Sequence, residues 1–105
     1  MDVGTDIVEV ARVAKAVRRK RFLERVFSER ERQRAETMNE RRRGQYFAGL
    51  FAAKEAAIKV SGGVVWNYEI GHHENGKPFI VGREEMSLSI SHTKTTAIAV
   101  VISEK

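Results

Sequence analysis

The stretch ERRRGQYFAGLFAAKEAAIKVSGG, residues 40–63, decides how this chain is organised. Phe47, Phe51 and Ile58 fall on one side at helical spacing, with Leu50 at the edge of that stripe. Ala48, Ala52, Ala53, Ala56 and Ala57 are strong helix formers that let neighbouring elements come close. Gly62-Gly63 then stops the helix, because glycine adopts the backbone conformations of a helix C-terminus without steric cost. The pattern predicts one long helix over residues 40–60.

Working outward, Val3, Thr5 and Ile7 alternate with Gly4 and Asp6 and predict a short strand. Val10, Val13, Ala14 and Val17 repeat at helical spacing and predict a helix over residues 9–19. Phe22, Leu23 and Val26 form a smaller apolar stripe. Ser28 with Glu31 fits a capping box, so a further helix starts there, and its weak apolar stripe marks residues 28–34 as peripheral. The C-terminal side reads as β structure. Residues 64–72 form one strand, with Trp66, Tyr68 and Ile70 on the same side. Asn75-Gly76 predicts a type I′ hairpin turn, returning through residues 79–81. Met86, Leu88 and Ile90 alternate with Ser87, Ser89 and Ser91, and residues 97–102 are apolar enough for a buried strand. The expected fold is α+β, a long central helix plus smaller helices packed on an antiparallel sheet.

At 105 residues the chain is expected to be one domain, 1–105. It has no cysteine, which excludes disulfides and thiolate metal sites. No stretch approaches the roughly 20 apolar residues of a membrane span, and no secretory pattern opens the chain, so a cytoplasmic location without membrane association is expected. Net charge is +5, with the arginines gathered in the first half, as in Arg18-Arg19-Lys20-Arg21 and Arg41-Arg42-Arg43. Such a field suits nucleic acid, a phosphorylated ligand or an acidic protein. Zinc-finger spacing, RNA-recognition aromatic runs and glycine-rich clamps are absent from the sequence, which argues against nucleic acid.

Three places could carry chemistry. Asp6 beside Ile7 is either a turn residue leading into the first helix or a carboxylate held for a cation. Taking about 100° per residue from Phe51, Glu55 lies at about 40° and Lys59 at about 80°, flanking the apolar stripe. By spacing alone these two are first an i, i+4 ion pair. The sharper reading has Glu55 binding a metal while Lys59 neutralises a phosphate. His92 ends a strand and opens the loop His92-Thr93-Lys94-Thr95, which is either a plain polar hairpin or a ligand contact. His72 and His73 point to opposite faces of a strand and are read as structural.

The runs Gly4-Thr5-Asp6-Ile7-Val8-Glu9-Val10, Arg21-Phe22-Leu23-Glu24-Arg25-Val26-Phe27, residues 51–59 (FAAKEAAIK), Asn75-Gly76-Lys77-Pro78 and Ser89-Ile90-Ser91-His92 occur in this order. With them the chain resembles the bacterial holo-acyl-carrier-protein synthases, small 4'-phosphopantetheinyl transferases, over nearly its whole length. The resemblance implies the fold of those transferases and the transfer of 4'-phosphopantetheine from coenzyme A to a serine of apo-acyl carrier protein, releasing 3',5'-ADP. It implies Asp6 and Glu55 as Mg²⁺ ligands, and Lys59 as a catalytic phosphate contact. It also implies Gly62, His92 and Thr93 on coenzyme A, and Arg12, Arg21 and Arg25 on the carrier protein. A homotrimer with active sites shared between subunits is implied as well. The chain departs from the family at Leu50, where an arginine is usual, and in a shortened 61–65 loop. Those departures support an alternative, a non-catalytic relative that binds coenzyme A or carrier protein.

Overall fold

The computed structural model describes residues 1–104. Strand β1 (Asp2–Glu9) leads into helices α1 (Val10–Ala16), α2 (Lys20–Val26), α3 (Glu29–Ala35) and α4 (Glu40–Ser61). A 3₁₀ turn (Val65–Asn67) follows, then β2 (Ile70–His72), β3 (Pro78–Ile80), β4 (Met86–His92) and β5 (Thr96–Ser103). The main sheet is antiparallel in the order β1-β5-β4, and β2 and β3 form a separate hairpin. This is the expected α+β architecture of helices on an antiparallel sheet.

Helix α4 lies over β1 and β5, and small residues decide how close it comes. Ala52, Ala53, Ala56 and Ala57 on the helix, and Ala97 and Ala99 on β5, are wholly buried. Gly4 marks the tightest approach: a Cβ there would stand 2.2 Å from the Ala56 carbonyl oxygen. The crossing therefore sets Asp6, two residues along β1, near Glu55, the neighbour of Ala56.

The peripheral helix α3 is tied to the core by charge rather than by an apolar stripe. Its predicted capping box is present: Ser28 Oγ accepts from the Glu31 amide, and Glu31 Oε1 accepts from the Ser28 amide at 2.8 Å. The same carboxylate accepts from Lys54 Nζ at 3.0 Å and from the Ile70 amide at 2.7 Å. Glu31 and Lys54 are each 1 % exposed, and the Tyr68 carbonyl accepts a further Lys54 proton. Burying such a pair is tolerable only because every proton and lone pair has a partner.

Several local expectations are corrected. The 9–19 helix stops at Ala16, where the Arg18 and Arg19 amides close tight turns onto Lys15 and Ala16, and α2 starts afresh so that Phe22 can pack on Phe27 and Phe51. Residues 64–72 are not one strand. Gly62 and Gly63 both take positive φ, and the Asn67 side chain accepts from the Val64 amide, folding the chain into the 3₁₀ turn. Trp66 is consequently 52 % exposed while Tyr68 and Ile70 are buried. In the hairpin only Gly76 has positive φ, whereas a type I′ turn requires it at Asn75 too. The amide of Gly76 bonds the His73 carbonyl and the amide of His73 bonds the Lys77 carbonyl, a turn closed by one left-handed glycine. Strand β5 is buried on one face only. Ala97, Ala99 and Val101 point at α4, whereas Ile98 is 41 % exposed on the other side.

Candidate active site

Asp6 and Glu55 line one cavity of about 990 Å³ between β1, α1, α2 and α4. Asp6 reaches it because Gly4, Asp6 and Val8 share the helix-facing side of β1. Glu55 reaches it from α4, with Phe51 one turn earlier and Phe22 of α2 also on the wall. The wide apolar floor suits an elongated organic group, and both carboxylates belong to the lining.

Lys59 departs from the simplest reading of its spacing. Its ammonium reaches across to β1, donating to the Thr5 carbonyl at 2.7 Å and to Asp6 Oδ1 at 3.4 Å. Its salt-bridge partner is Asp6 and not Glu55. The pair is partly solvated, with side-chain exposures of 55 % and 18 %, so it contributes little to stability. Its effect is to hold a cation beside Asp6 where β1 and α4 meet.

No group of three or more His, Asp or Glu side chains able to hold a metal occurs among the described residues. Two carboxylates are the complement that suits a hard divalent cation sharing its shell with substrate phosphates and water. A soft or fully protein-caged ion does not fit this donor set. Asp6 and Glu55 therefore could hold such a cation together with a phosphorylated ligand.

Arg12 lines the same cavity, and Lys15, Arg18 and Arg19 join it there. These last three were not among the sequence-based candidates. Arg12 and Lys15 are three apart, on the side of α1 that the buried Val10 and Val13 leave free, and that spacing is the signal that could have singled them out. Leu50 is 2 % exposed and belongs to the core, so it offers no grip on phosphate. Lys15, Arg18 and Arg19 are the cations at hand instead.

The other candidates lie elsewhere on the chain. Arg21 and Arg25 are exposed on α2, with the Arg25 guanidinium 4.9 Å from the centroid of the Trp66 ring. Gly62 caps α4 with φ 77°, its amide bonded to the Ile58 carbonyl and its own carbonyl accepting from the Tyr68 hydroxyl. His92 and Thr93 are exposed at the end of the β4–β5 hairpin. His92 Nδ1 is 3.1 Å from the Thr93 carbonyl, and the Thr93 hydroxyl accepts from the amides of Thr95 and Thr96, which makes this loop a rigid turn. Gly62, His92 and Thr93 do not line the Asp6–Glu55 cavity, since β5 separates β4 from β1 and Gly62 lies past the end of α4.

Residues 2–101 match the family model of the 4'-phosphopantetheinyl transferase superfamily, and the chain belongs to that superfamily. Its sequence is 38 % identical, over 98 % of this chain and 94 % of the relative, to the holo-acyl-carrier-protein synthase of Anoxybacillus flavithermus. The identity to the corresponding Bacillus subtilis enzyme is 37 % over the same shares. Among solved structures, the Helicobacter pylori holo-acyl-carrier-protein synthase in complex with coenzyme A superposes with a TM-score of 0.83, at 32 % identity, covering 98 % of this chain and all of that one. The Bacillus anthracis synthase in complex with coenzyme A (3',5'-ADP) gives 0.82 at 35 % identity, covering 94 % and 91 %. Within the superfamily the chain is thus an enzyme of the holo-acyl-carrier-protein synthase family.

Proposed function

We propose that this enzyme, as a single domain over residues 1–105, transfers the 4'-phosphopantetheine group of coenzyme A to a serine of apo-acyl carrier protein and releases 3',5'-ADP. The observation that carries the reading is the shared cavity of Asp6 and Glu55, ringed by Arg12, Lys15, Arg18 and Arg19. A diphosphate brings negative charge that these cations neutralise, and the apolar wall of Phe22 and Phe51 suits the pantetheine arm. Coenzyme A complexes of the related synthases support the choice of donor.

Mg²⁺ bound by Asp6 and Glu55 would neutralise charge on the diphosphate during transfer. Phosphoryl transfer asks little covalent work of the protein, so positioning and charge dominate. Lys59, beside Asp6, supplies a cation to the phosphate oxygens. The serine oxygen attacks the phosphorus on the pantetheine side, its proton passes to the Glu55 carboxylate, and the bond to the leaving 3',5'-ADP breaks. Arg12, Arg21 and Arg25 hold the acidic carrier. Incubation with apo-carrier protein, coenzyme A and Mg²⁺ is expected to add one phosphopantetheine mass to the carrier, and to add none once the metal is chelated. A carrier of unchanged mass with the metal present rejects the reading in favour of a non-catalytic relative.

The functional unit is proposed to be a cytoplasmic homotrimer. Its support is an apolar sheet face turned away from α4, where Val3, Ile7 and Ile98 are exposed and the pairs Val3–Ile102 and Ile7–Ile98 stand in register. Exposed apolar patches of this kind mark association surfaces. In such an assembly the hairpin bearing His92 and Thr93 can meet the coenzyme A bound against a neighbouring subunit, as can Gly62. Sedimentation is expected to show three copies, and Ile98→Glu to release monomers; a wild-type monomer rejects the trimer.

A further inference from the structure

Trp66 is the only tryptophan of the chain, and the fold leaves it half in water. It stands on the 3₁₀ turn that touches both the end of α4 and α2. The Arg25 guanidinium lies over its ring, and Arg21, one turn before Arg25 on α2, is exposed as well. Between the two arginines Phe22 turns inward and lines the Asp6–Glu55 cavity. Val64, also exposed, extends the apolar side of the patch. This patch belongs to the helical layer, on the opposite side of the main sheet from the Val3–Ile98 face.

An indole half in water forgoes much of the hydrophobic gain that burial would give. Tryptophan and arginine are the residues that most often dominate protein interfaces. A guanidinium stacked on an indole keeps its donors pointing outward in a fixed fork, ready for carboxylates, and loses less freedom on binding than a free arginine does. One flat apolar ring with two guanidinium groups complements an acidic, amphipathic protein surface. We propose that Trp66 and Arg25 form one carrier-protein contact, with the indole as a positioning residue that holds the guanidinium toward the acidic carrier beside the cavity. The inference rests on the transferase reading above.

Steady-state kinetics with the carrier and coenzyme A varied separately test it. Trp66→Ala is expected to raise KM for apo-carrier protein about tenfold, leaving kcat and KM for coenzyme A within about twofold, the scale of a lost aromatic anchor. Trp66→Phe restores most of the loss because it keeps an aromatic face, whereas Trp66→Leu does not. Arg25→Gln matches Trp66→Ala, and the double variant is no worse than Arg25→Gln, since both remove the same contact. Adding apo-carrier protein without coenzyme A shifts the emission of the single tryptophan. An unchanged carrier KM in Trp66→Ala, or a rise confined to coenzyme A, overturns the inference while wild-type turnover leaves the transferase reading standing. A wild-type enzyme with no transfer rejects that reading itself.

Discussion

Asp6→Asn and Glu55→Gln are each expected to lower kcat/KM for carrier modification by about 10²–10³-fold, the scale of losing one preorganised charge at a developing transition state. Both side chains sit on a cavity wall and not in the core, so circular dichroism and the unfolding midpoint should stay near wild type. The two variants differ in what they leave behind. Asp6→Asn frees the Lys59 ammonium from its carboxylate partner and keeps Glu55 able to take a proton. Glu55→Gln removes a charge and the proposed base together. Raising Mg²⁺ should therefore rescue Asp6→Asn in part and leave Glu55→Gln slow. Near-normal turnover of Glu55→Gln at saturating Mg²⁺ would remove the base role from Glu55.

Glu31→Gln should destabilise the fold by about 3–5 kcal/mol, because it leaves a buried ammonium without its counter-charge. That is a large share of the about 5–15 kcal/mol by which folded domains are stable. Replacing both partners, as in Glu31→Leu with Lys54→Met, should return only part of the loss, since no unpaired charge remains but the Ile70 amide and the Tyr68 carbonyl lose their buried partners. The pH dependence carries the sign of the effect. Burial pushes the Lys54 ammonium below the ordinary lysine value of 10.5, and the Glu31 carboxylate pulls it back up. Without that carboxylate the folded-state value drops further, so over a wider range below 10.5 the unfolded chain binds more protons than the folded one. Stability then rises with pH across that range. Urea unfolding of Glu31→Gln at pH 7 and pH 9.5 should show a smaller deficit at the higher pH. An equal deficit at both would mean that the stranded charge is not what destabilises the variant.

Signals local in the chain were legible before any fold was known. Glycine at 62 and 63 ended α4, which runs Glu40–Ser61 against an expected 40–60. Ser28 and Glu31 announced their capping box, and the alternation of Met86, Leu88 and Ile90 announced β4. The family motifs named Asp6 and Glu55, and both line the same cavity. The strand expected over 64–72 failed because periodicity carried no information about two left-handed glycines followed by an asparagine that bonds backward.

By itself the amino-acid order determined the class of fold, the long helix and the family, because helix and strand periods, caps and contiguous motifs act over a few residues. Tertiary structure alone decided the rest. Lys54 could be buried only once Glu31, 23 residues away, arrived to neutralise it. Lys59 chose Asp6 over the nearer-in-sequence Glu55 because α4 crosses β1 at Gly4. Which side of β5 is covered, and which arginines face the cavity, likewise depend on the elements that come to lie beside them. Charges and apolar surfaces interact through space, and only packing sets those distances.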